Sequence, residues 1–179
     1  MAKVMVIYFS KYGSTKKYAE WIAEELNGNI SKLNEVNLSN LSDYEVIIIG
    51  IPLYPGKIKN FDFLGKYYEI IKDKKIIIFT CGIADVNKTE NVNNIKKRIE
   101  KIIPKNIFEK NKIFCLRGSL DYKKMDLKHR IMMWVKKREV ISKELDKKDN
   151  DAKLLLETYG KTIDFINKEN INEIIDYCK

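Results

Sequence analysis

The sequence contains few of the residues that usually mark disulfide, zinc or hydrolase chemistry. Its 179 residues include three cysteines, three prolines and one histidine. Cys81, Cys115 and Cys178 are an odd number without CxxC spacing, which favours reduced thiols over a disulfide framework or a zinc site. A Ser-His-Asp hydrolase would have to use His129, which lies in a strongly charged segment, so this class of enzyme is disfavoured.

Long apolar runs are also missing. No stretch reaches the roughly 18 apolar residues that a membrane-spanning helix needs. The opening residues, "MAKVMVIYF", lead directly into a run of strand length without a signal-type cleavage pattern. We therefore expect a cytoplasmic protein and, from its length, one domain over residues 1–179.

The sequence does contain several short apolar runs separated by helical patterns. The runs cover 4–9, 45–50, 75–80 and 112–116, with a weaker candidate at 29–36, and the helical patterns cover 15–26, 61–71, 92–103 and 151–167. Unbroken Val, Ile and Phe residues are typical of strands buried on both faces. Alternating strands and helices predict an α/β fold, a doubly wound sheet of about five parallel strands with helices on both faces.

The segment "SKYGSTK" joins the first strand to the first helix, where such a sheet binds ligands. Free N–H groups and the positive end of the helix dipole meet there, and a glycine allows successive amides to converge on an anion. The hydroxyl groups of this loop add further donors. The candidate phosphate-binding residues are Ser10, Lys11, Tyr12, Gly13, Ser14 and Thr15.

Two interpretations of this loop remain open. The sequence has no GKS or GKT and no GxGxxG motif, which disfavours a nucleoside triphosphate or a dinucleotide and favours a phosphate monoester. The alternative is an ordinary helix start with Ser14 as its N-cap and nothing bound.

The next two loops carry residues that suit a planar ring system. Residues 50–60 are apolar and are restricted by Pro52 and Pro55, whereas residues 80–91 are rich in small side chains. One loop can supply a wall and the other backbone hydrogen-bonding groups. The candidate residues are Pro52, Leu53, Tyr54, Thr80, Cys81, Gly82 and Ile83.

The pattern Ser-x-x-Gly-x-Thr, at Ser10, Gly13 and Thr15, resembles the phosphate loop of flavodoxins. The spacing of the next two loops is similar to that of the flavodoxin loops that enclose the isoalloxazine ring. The resemblance implies non-covalent FMN, with its phosphate in the first loop and its charge offset by Lys11. It also implies that Tyr54 stacks on the ring, flanked by Pro52 and Leu53, and that Cys81, Gly82 and Ile83 offer backbone groups to the ring edge.

Two features depart from the family pattern. Lys11 and Tyr12 stand where many flavodoxins have smaller residues, so their side chains must point away from the phosphate. The aromatic position of the second loop is shifted by about one residue relative to the flavodoxin-like protoporphyrinogen oxidases, so the alternative is that Leu53 contacts the ring and Tyr54 faces solvent.

The segment "RGSLDYKKMDLKHRIMMWVKK" follows the last strand and is similar to an insertion in the flavodoxin-like protoporphyrinogen oxidases that use menaquinone. We place this helical insertion at about 119–150. The corresponding residues are Arg117, Gly118, Ser119, Leu120 and Tyr122. The resemblance implies an enzyme that oxidises a porphyrinogen or reduces a quinone.

The same segment carries most of the excess charge. The formal net charge is +9, and residues 123–148 hold ten Lys or Arg against four Asp or Glu. These positive charges surround an apolar stripe, which could contact an anionic membrane surface or a partner protein. The alternative is that the stripe packs on its own domain. The stripe comprises Leu127, Ile131, Trp134, Ile141 and Leu145, widened by Met132, Met133 and Val135.

Three functions are consistent with these observations. The first is an FMN-dependent, quinone-linked oxidase, and the second is an electron carrier that docks onto reductases. The third is a flavodoxin-like domain that binds no flavin and serves only for interaction. Carrier flavodoxins are usually acidic, so the basic charge favours the enzyme. Nucleic acid is not an expected partner, because no recognisable nucleic-acid module positions the basic residues.

Overall fold

The computed structural model describes residues 2–54, 63–142 and 150–179. Its central element is a parallel sheet with the strand order β2-β1-β3-β4-β5, so the predicted doubly wound sheet is confirmed. Four predicted strands end within two residues of the observed ones, and the weaker candidate at 29–36 is a strand only in its first half. The strands are β1 (Val4–Tyr8), β2 (Asn29–Lys32), β3 (Val46–Pro52), β4 (Lys75–Gly82) and β5 (Lys112–Arg117).

Helices cover both faces of this sheet. The predicted helix at 15–26 is confirmed as α1, and the one at 92–103 lies about three residues earlier, as α4. Residues 55–62 and 143–149, which include Pro55, Phe61 and Leu145 of the predictions, lie outside the described residues. The helices are α1 (Ser14–Glu25), α2 (Phe63–Lys66), α3 (Tyr68–Ile71), α4 (Thr89–Glu100), α5 (Lys105–Lys110), α6 (Leu127–Ile141), α7 (Asn150–Thr158) and α8 (Asn172–Cys178).

The strands carry apolar side chains on both faces, which divides the core into two halves. Val6 and Ile48 pack on one face together with Tyr18 of α1. Ile7 and Ile49, the next residues along the same strands, pack on the other face with side chains of α4. Successive side chains of a strand point to opposite faces, so the unbroken apolar runs are the sequence signature of this two-sided burial.

A two-stranded antiparallel sheet closes the base of the insertion. Its strands are β6 (Ser119–Asp121) and β7 (Thr162–Asp164). The insertion begins after β6 and ends at β7, and helices α6 and α7 lie between these two strands in the sequence. The predicted helix at 151–167 is therefore wrong beyond Thr158. Gly160 has a φ of 75°, a conformation that a helix does not continue through, and the chain turns there into β7.

The last helix of the fold is α8, which was not predicted. A short 3₁₀ turn, Lys168–Ile171, precedes it, and both pack beside α1. Ile171, Ile174 and Ile175 are buried there and stand at helical spacing. The core helix at this face is therefore α8, whereas α7 belongs to the insertion.

Candidate functional site

The loop between β1 and α1 brings two backbone donors to one oxygen. It turns at Gly13, whose φ is 99°, and Gly13 is the N-cap of α1, with no side chain to accept from the first-turn N–H groups. The N–H of Lys11 donates to the Tyr54 hydroxyl oxygen at 2.5 Å, and the N–H of Tyr12 reaches the same oxygen at 3.3 Å. The N–H of Gly13 donates to Ser10 Oγ at 3.1 Å. Convergent N–H groups at the positive end of a helix suit a phosphate oxygen.

The hydroxyl groups of Ser14 and Thr15 do not cap the helix. Ser14 Oγ lies 2.9 Å from Ser119 Oγ and accepts from the Ser119 N–H at 3.0 Å, so it fastens the loop to the base of the insertion. The interpretation of Ser14 as N-cap is wrong, because Gly13 takes that position. Thr15 is buried, and its side chain lies beside Cys81.

Tyr54 reaches across from the loop after β3. Its ring lies edge-on to the Tyr12 ring, with centroids 5.2 Å apart at 79°, and its hydroxyl points into the first loop. Burial raises the pKa of the Tyr54 phenol, so this hydroxyl stays neutral at physiological pH. The stack of Tyr54 on a flavin ring that the family resemblance implies stays a prediction, and a phosphate bound by the N–H groups of Lys11 and Tyr12 would displace this hydroxyl from them.

The remaining candidates of the second loop lie close to the third. The Leu53 N–H donates to the Cys81 carbonyl at 2.8 Å, which fixes the two loops side by side. A Cβ at Gly82 would come within 3.1 Å of the Leu53 side chain, so Leu53 covers Gly82. Pro52 is the last residue of β3 and is buried.

The third loop begins in the core and ends at the cavity. Thr80 is fully buried and its hydroxyl donates to the Phe114 carbonyl, so its side chain faces β5. Cys81 is also buried, and burial raises the pKa of its thiol to about 12, which keeps it protonated and non-nucleophilic. The carbonyl of Gly82 accepts from the Gly118 N–H at 2.6 Å, and that of Ile83 accepts from Arg117.

The side chains of Lys11 and Tyr12 point away from the loop amides and reach α6. Lys11 forms an ion pair with Asp126, and the Tyr12 hydroxyl lies 2.6 Å from His129 Nδ1. Asp126 also caps α6 by accepting from the His129 N–H at 2.8 Å. The ammonium of Lys11 and this N–H lower the pKa of the Asp126 carboxyl to about 2. The first loop therefore anchors the start of the insertion helix.

Asp126 and His129 were missed as site residues. The sequence does hold a weak signal at this place, because Asp directly before a helical pattern is a common N-cap residue that accepts from the N–H three residues later. His129 is only 12% exposed in its side chain, and burial lowers the pKa of its imidazole. Their partners in the first loop are more than 110 residues away in sequence, so no local pattern connects them.

The predicted apolar stripe of α6 faces outward. Leu127 is 71% exposed, Ile141 57%, Ile131 52% and Trp134 47%. Met133 is buried on the opposite side of the helix. The alternative interpretation, that the stripe packs on its own domain, is therefore wrong for these residues. Within the described part of the chain, none of the helices is long and apolar enough to cross a membrane.

A cavity of about 670 Å³ lies where these elements meet. The first-loop residues Tyr12, Ser14 and Thr15, the second-loop residues Leu53 and Tyr54, and the third-loop residues Cys81, Gly82 and Ile83 all line it. Helices α4, α6 and α7 contribute to its wall, together with Ala84, Met125 and residues 118–120. The structure thus brings most of the predicted cofactor residues to one cavity of a size typical for small-molecule sites.

Comparison with known proteins identifies a family. A family model described as a flavodoxin domain matches residues 5–150. A flavodoxin of Maridesulfovibrio salexigens is 25% identical over 115 residues, which cover 57% of this chain and 79% of the relative.

The chain is also similar to proteins of known structure. Two-electron reduced flavodoxin of Megasphaera elsdenii has a TM-score of 0.45 and 17% identity, over 64% of this chain and 83% of that one. A flavoprotein of Lactobacillus acidophilus, solved in complex with FMN, has a TM-score of 0.40 and 16% identity, over 65% of this chain and 93% of that one.

Proposed function

The chain belongs to the flavodoxin domain family, and from this membership we propose that it is a redox protein that binds FMN non-covalently in one domain. The observation that carries the proposal is the convergence of the Lys11 and Tyr12 N–H groups on one oxygen at the start of α1. FMN ends in a phosphate monoester, the group that such donors fit. FMN supplies the electron transfer when bound, while the protein sets its position, potential and access.

The first loop would hold the phosphate mainly through its backbone. The Lys11 ammonium is paired with Asp126, so the N–H groups and the helix dipole, rather than Lys11, balance the phosphate charge. Leu53 and Tyr54 would flank one side of the ring, and backbone groups of 81–83 would lie at its edge. The protonated Cys81 thiol serves there as part of the wall.

The finer proposal is a quinone-linked oxidase of the protoporphyrinogen type that touches a membrane through α6. The exposed apolar stripe supports it, because such a face beside a basic surface can insert at an anionic lipid interface. Residues 127–141 contain five Lys or Arg and one Glu. The net charge of +9 also differs from the acidic character of carrier flavodoxins.

The second candidate is an electron carrier. The same exposed face would then bind a reductase, with its lysines and arginines facing acidic residues of that partner. The insertion anchored on the first loop would place this partner close to the flavin. Turnover distinguishes the two candidates, since a carrier needs the reductase whereas the enzyme acts alone on its substrates.

The experiment begins with the absorbance spectrum of the purified protein after addition of FMN, followed by a turnover assay with protoporphyrinogen and a menaquinone analogue. A bound flavin spectrum with turnover supports the oxidase. A bound flavin spectrum without turnover supports the carrier. A protein that stays colourless after FMN is added contradicts both.

Membrane contact is tested by co-sedimentation with vesicles of phosphatidylcholine alone or mixed with phosphatidylserine. Ile131→Ser should reduce binding to the anionic vesicles, because Ile131 is exposed and its loss leaves the core intact. Ile70→Ser is the matched control, since Ile70 is 39% exposed on another helix. Equal binding of both variants and the natural protein would exclude contact through α6.

A further inference from the structure

Within the described residues, one buried polar atom of a side chain that lines the cavity has no hydrogen-bond partner. Asn91, in the first turn of α4, is 4% exposed and lines the cavity. Its Nδ2 donates to the Asp85 carbonyl at 2.9 Å, which fixes the orientation of the amide. Its Oδ1 is buried and, among the residues that the structure describes, accepts no hydrogen bond. A buried acceptor without a donor is unfavourable, so a group that supplies an N–H or O–H at this point would be bound.

The cavity that Asn91 lines has an apolar wall in the insertion. Met125, Met132, Met133, Val140 and Leu155 form this wall. Methionine side chains are flexible and polarizable, and they adapt to ligands of irregular or variable shape. An apolar cavity with a few fixed polar groups is the usual form of a small-molecule site.

This wall is separate from the flavin loops. Asn91 belongs to α4, and the apolar side chains belong to the insertion, whereas the loops assigned to FMN are at 10–15, 52–54 and 80–83. The cavity nevertheless joins both walls, because the loop residues and Asn91 line the same space. A molecule held by Asn91 would therefore lie next to a flavin in the loops.

We propose that this part of the cavity binds a second small molecule, a largely apolar ring compound that donates an N–H or O–H hydrogen bond to Asn91 Oδ1. This inference rests on the proposed function and deepens it, because it names the substrate class of a flavin site. A phenol or a hydroquinone carries such a donor, and a quinone does not. Asn91 thus selects the reduced, hydrogen-bearing member of a redox pair. Lys136, which also lines the cavity, can accommodate an anionic substituent.

The test uses two probes that differ only in the donor, 2-naphthol and 2-methoxynaphthalene. Binding of each is measured by fluorescence titration, with the FMN titration run on the same preparation. The natural protein should bind 2-naphthol about threefold to tenfold more tightly, the range expected for one net hydrogen bond. Apolar binding to the outer face of α6 affects both probes and cancels in the ratio.

Asn91→Leu should abolish this preference, because it removes the acceptor at nearly constant volume. Asn94→Leu is the matched control, since Asn94 lines the same cavity on the same helix but is exposed. It should keep the preference. Should Asn91→Leu fail to fold, the side-chain Nδ2 NMR signal of Asn91 in the natural protein should shift with 2-naphthol and not with 2-methoxynaphthalene.

Equal affinity for the two probes, no binding of either, or a preference that survives in Asn91→Leu would overturn the inference. FMN binding separates this failure from that of the proposed function. Saturable FMN binding without a preference for 2-naphthol removes the second site alone. A preference for 2-naphthol without FMN binding removes the flavin assignment and leaves Asn91 as the acceptor of an apolar ligand site.

Discussion

Replacement of Tyr54 by phenylalanine should strengthen FMN binding. The Tyr54 hydroxyl accepts from the N–H groups of Lys11 and Tyr12, which are two of the donors assigned to the phosphate. Phosphate and hydroxyl therefore compete for the same groups, and the phosphate must displace the hydroxyl before it binds. Tyr54→Phe removes the competitor and keeps the aromatic ring for stacking.

The size of the effect follows from two hydrogen bonds. Each contributes about 0.5–1.5 kcal/mol net, so the displacement costs about 1–3 kcal/mol. Since 1.4 kcal/mol corresponds to a factor of ten, the variant should bind FMN roughly 5- to 150-fold more tightly. Riboflavin has no phosphate, so its affinity should change much less.

The assay is quenching of flavin fluorescence, with FMN and riboflavin titrated in parallel. Tyr12→Phe is the matched control, because it removes a tyrosine hydroxyl that contacts His129 rather than the N–H groups of the first loop. It should leave the ratio of FMN to riboflavin affinity unchanged. Weaker or unchanged FMN binding by Tyr54→Phe would refute the reasoning, because the hydroxyl would then support the phosphate or play no part in its binding.

Three further predictions concern the loop and its contacts. Gly13→Ala should weaken FMN binding by about 1–3 kcal/mol through strain at φ 99°, whereas Gly160→Ala, also at positive φ, should not; equal effects in flavin titrations would contradict this. The Asp126 carboxyl has a lowered pKa, so its ion pair with Lys11 should anchor α6 fully at pH values above 3.8 and be lost as the pH falls toward about 2. Hydrogen exchange should show a loss of protection in α6 over this pH range, and a loss already near pH 6 would contradict the prediction. Gly118→Ala should destabilise the fold by about 1–3 kcal/mol in urea, because its Cβ would lie 2.7 Å from Cys81 Sγ; adding Cys81→Ala should recover part of the loss, and strict additivity would contradict the contact.

The sheet was predictable because its strands carry a strong local signal. Unbroken apolar runs form most of β1, β3, β4 and β5. Such short runs are typical of strands that are buried on both faces of a parallel sheet. The helix predicted at 151–167 failed because a single glycine, Gly160, redirects the chain into β7. The apolar periodicity on either side of Gly160 does not reveal that turn.

The positions of the site loops were also predictable, since parallel strands bring their carboxyl ends to one edge. The contacts within the site were not. The stack of Tyr54 on a ring stays a prediction, and no residue pattern foretells that its hydroxyl accepts hydrogen bonds from the first loop. The ion pair of Lys11 with Asp126 depends on how distant segments pack, and so does the lack of a donor to Asn91 Oδ1 among the described residues.

The orientation of α6 illustrates the same limit. Its apolar stripe and its basic residues are visible in the sequence, but a periodic pattern does not tell whether a core, a membrane or a partner covers it. The structure places Leu127 and Ile131 outward and Met133 inward. Which side of α6 is buried depends on how the insertion packs against the rest of the protein.

The most direct test of the central claim is a titration of the purified protein with FMN and with riboflavin under the same conditions. The account predicts saturable binding of one FMN per chain, clearly tighter than that of riboflavin, because the first loop binds the phosphate. Equal affinity for the two flavins, or binding of neither, would show that "SKYGSTK" is only the start of a helix.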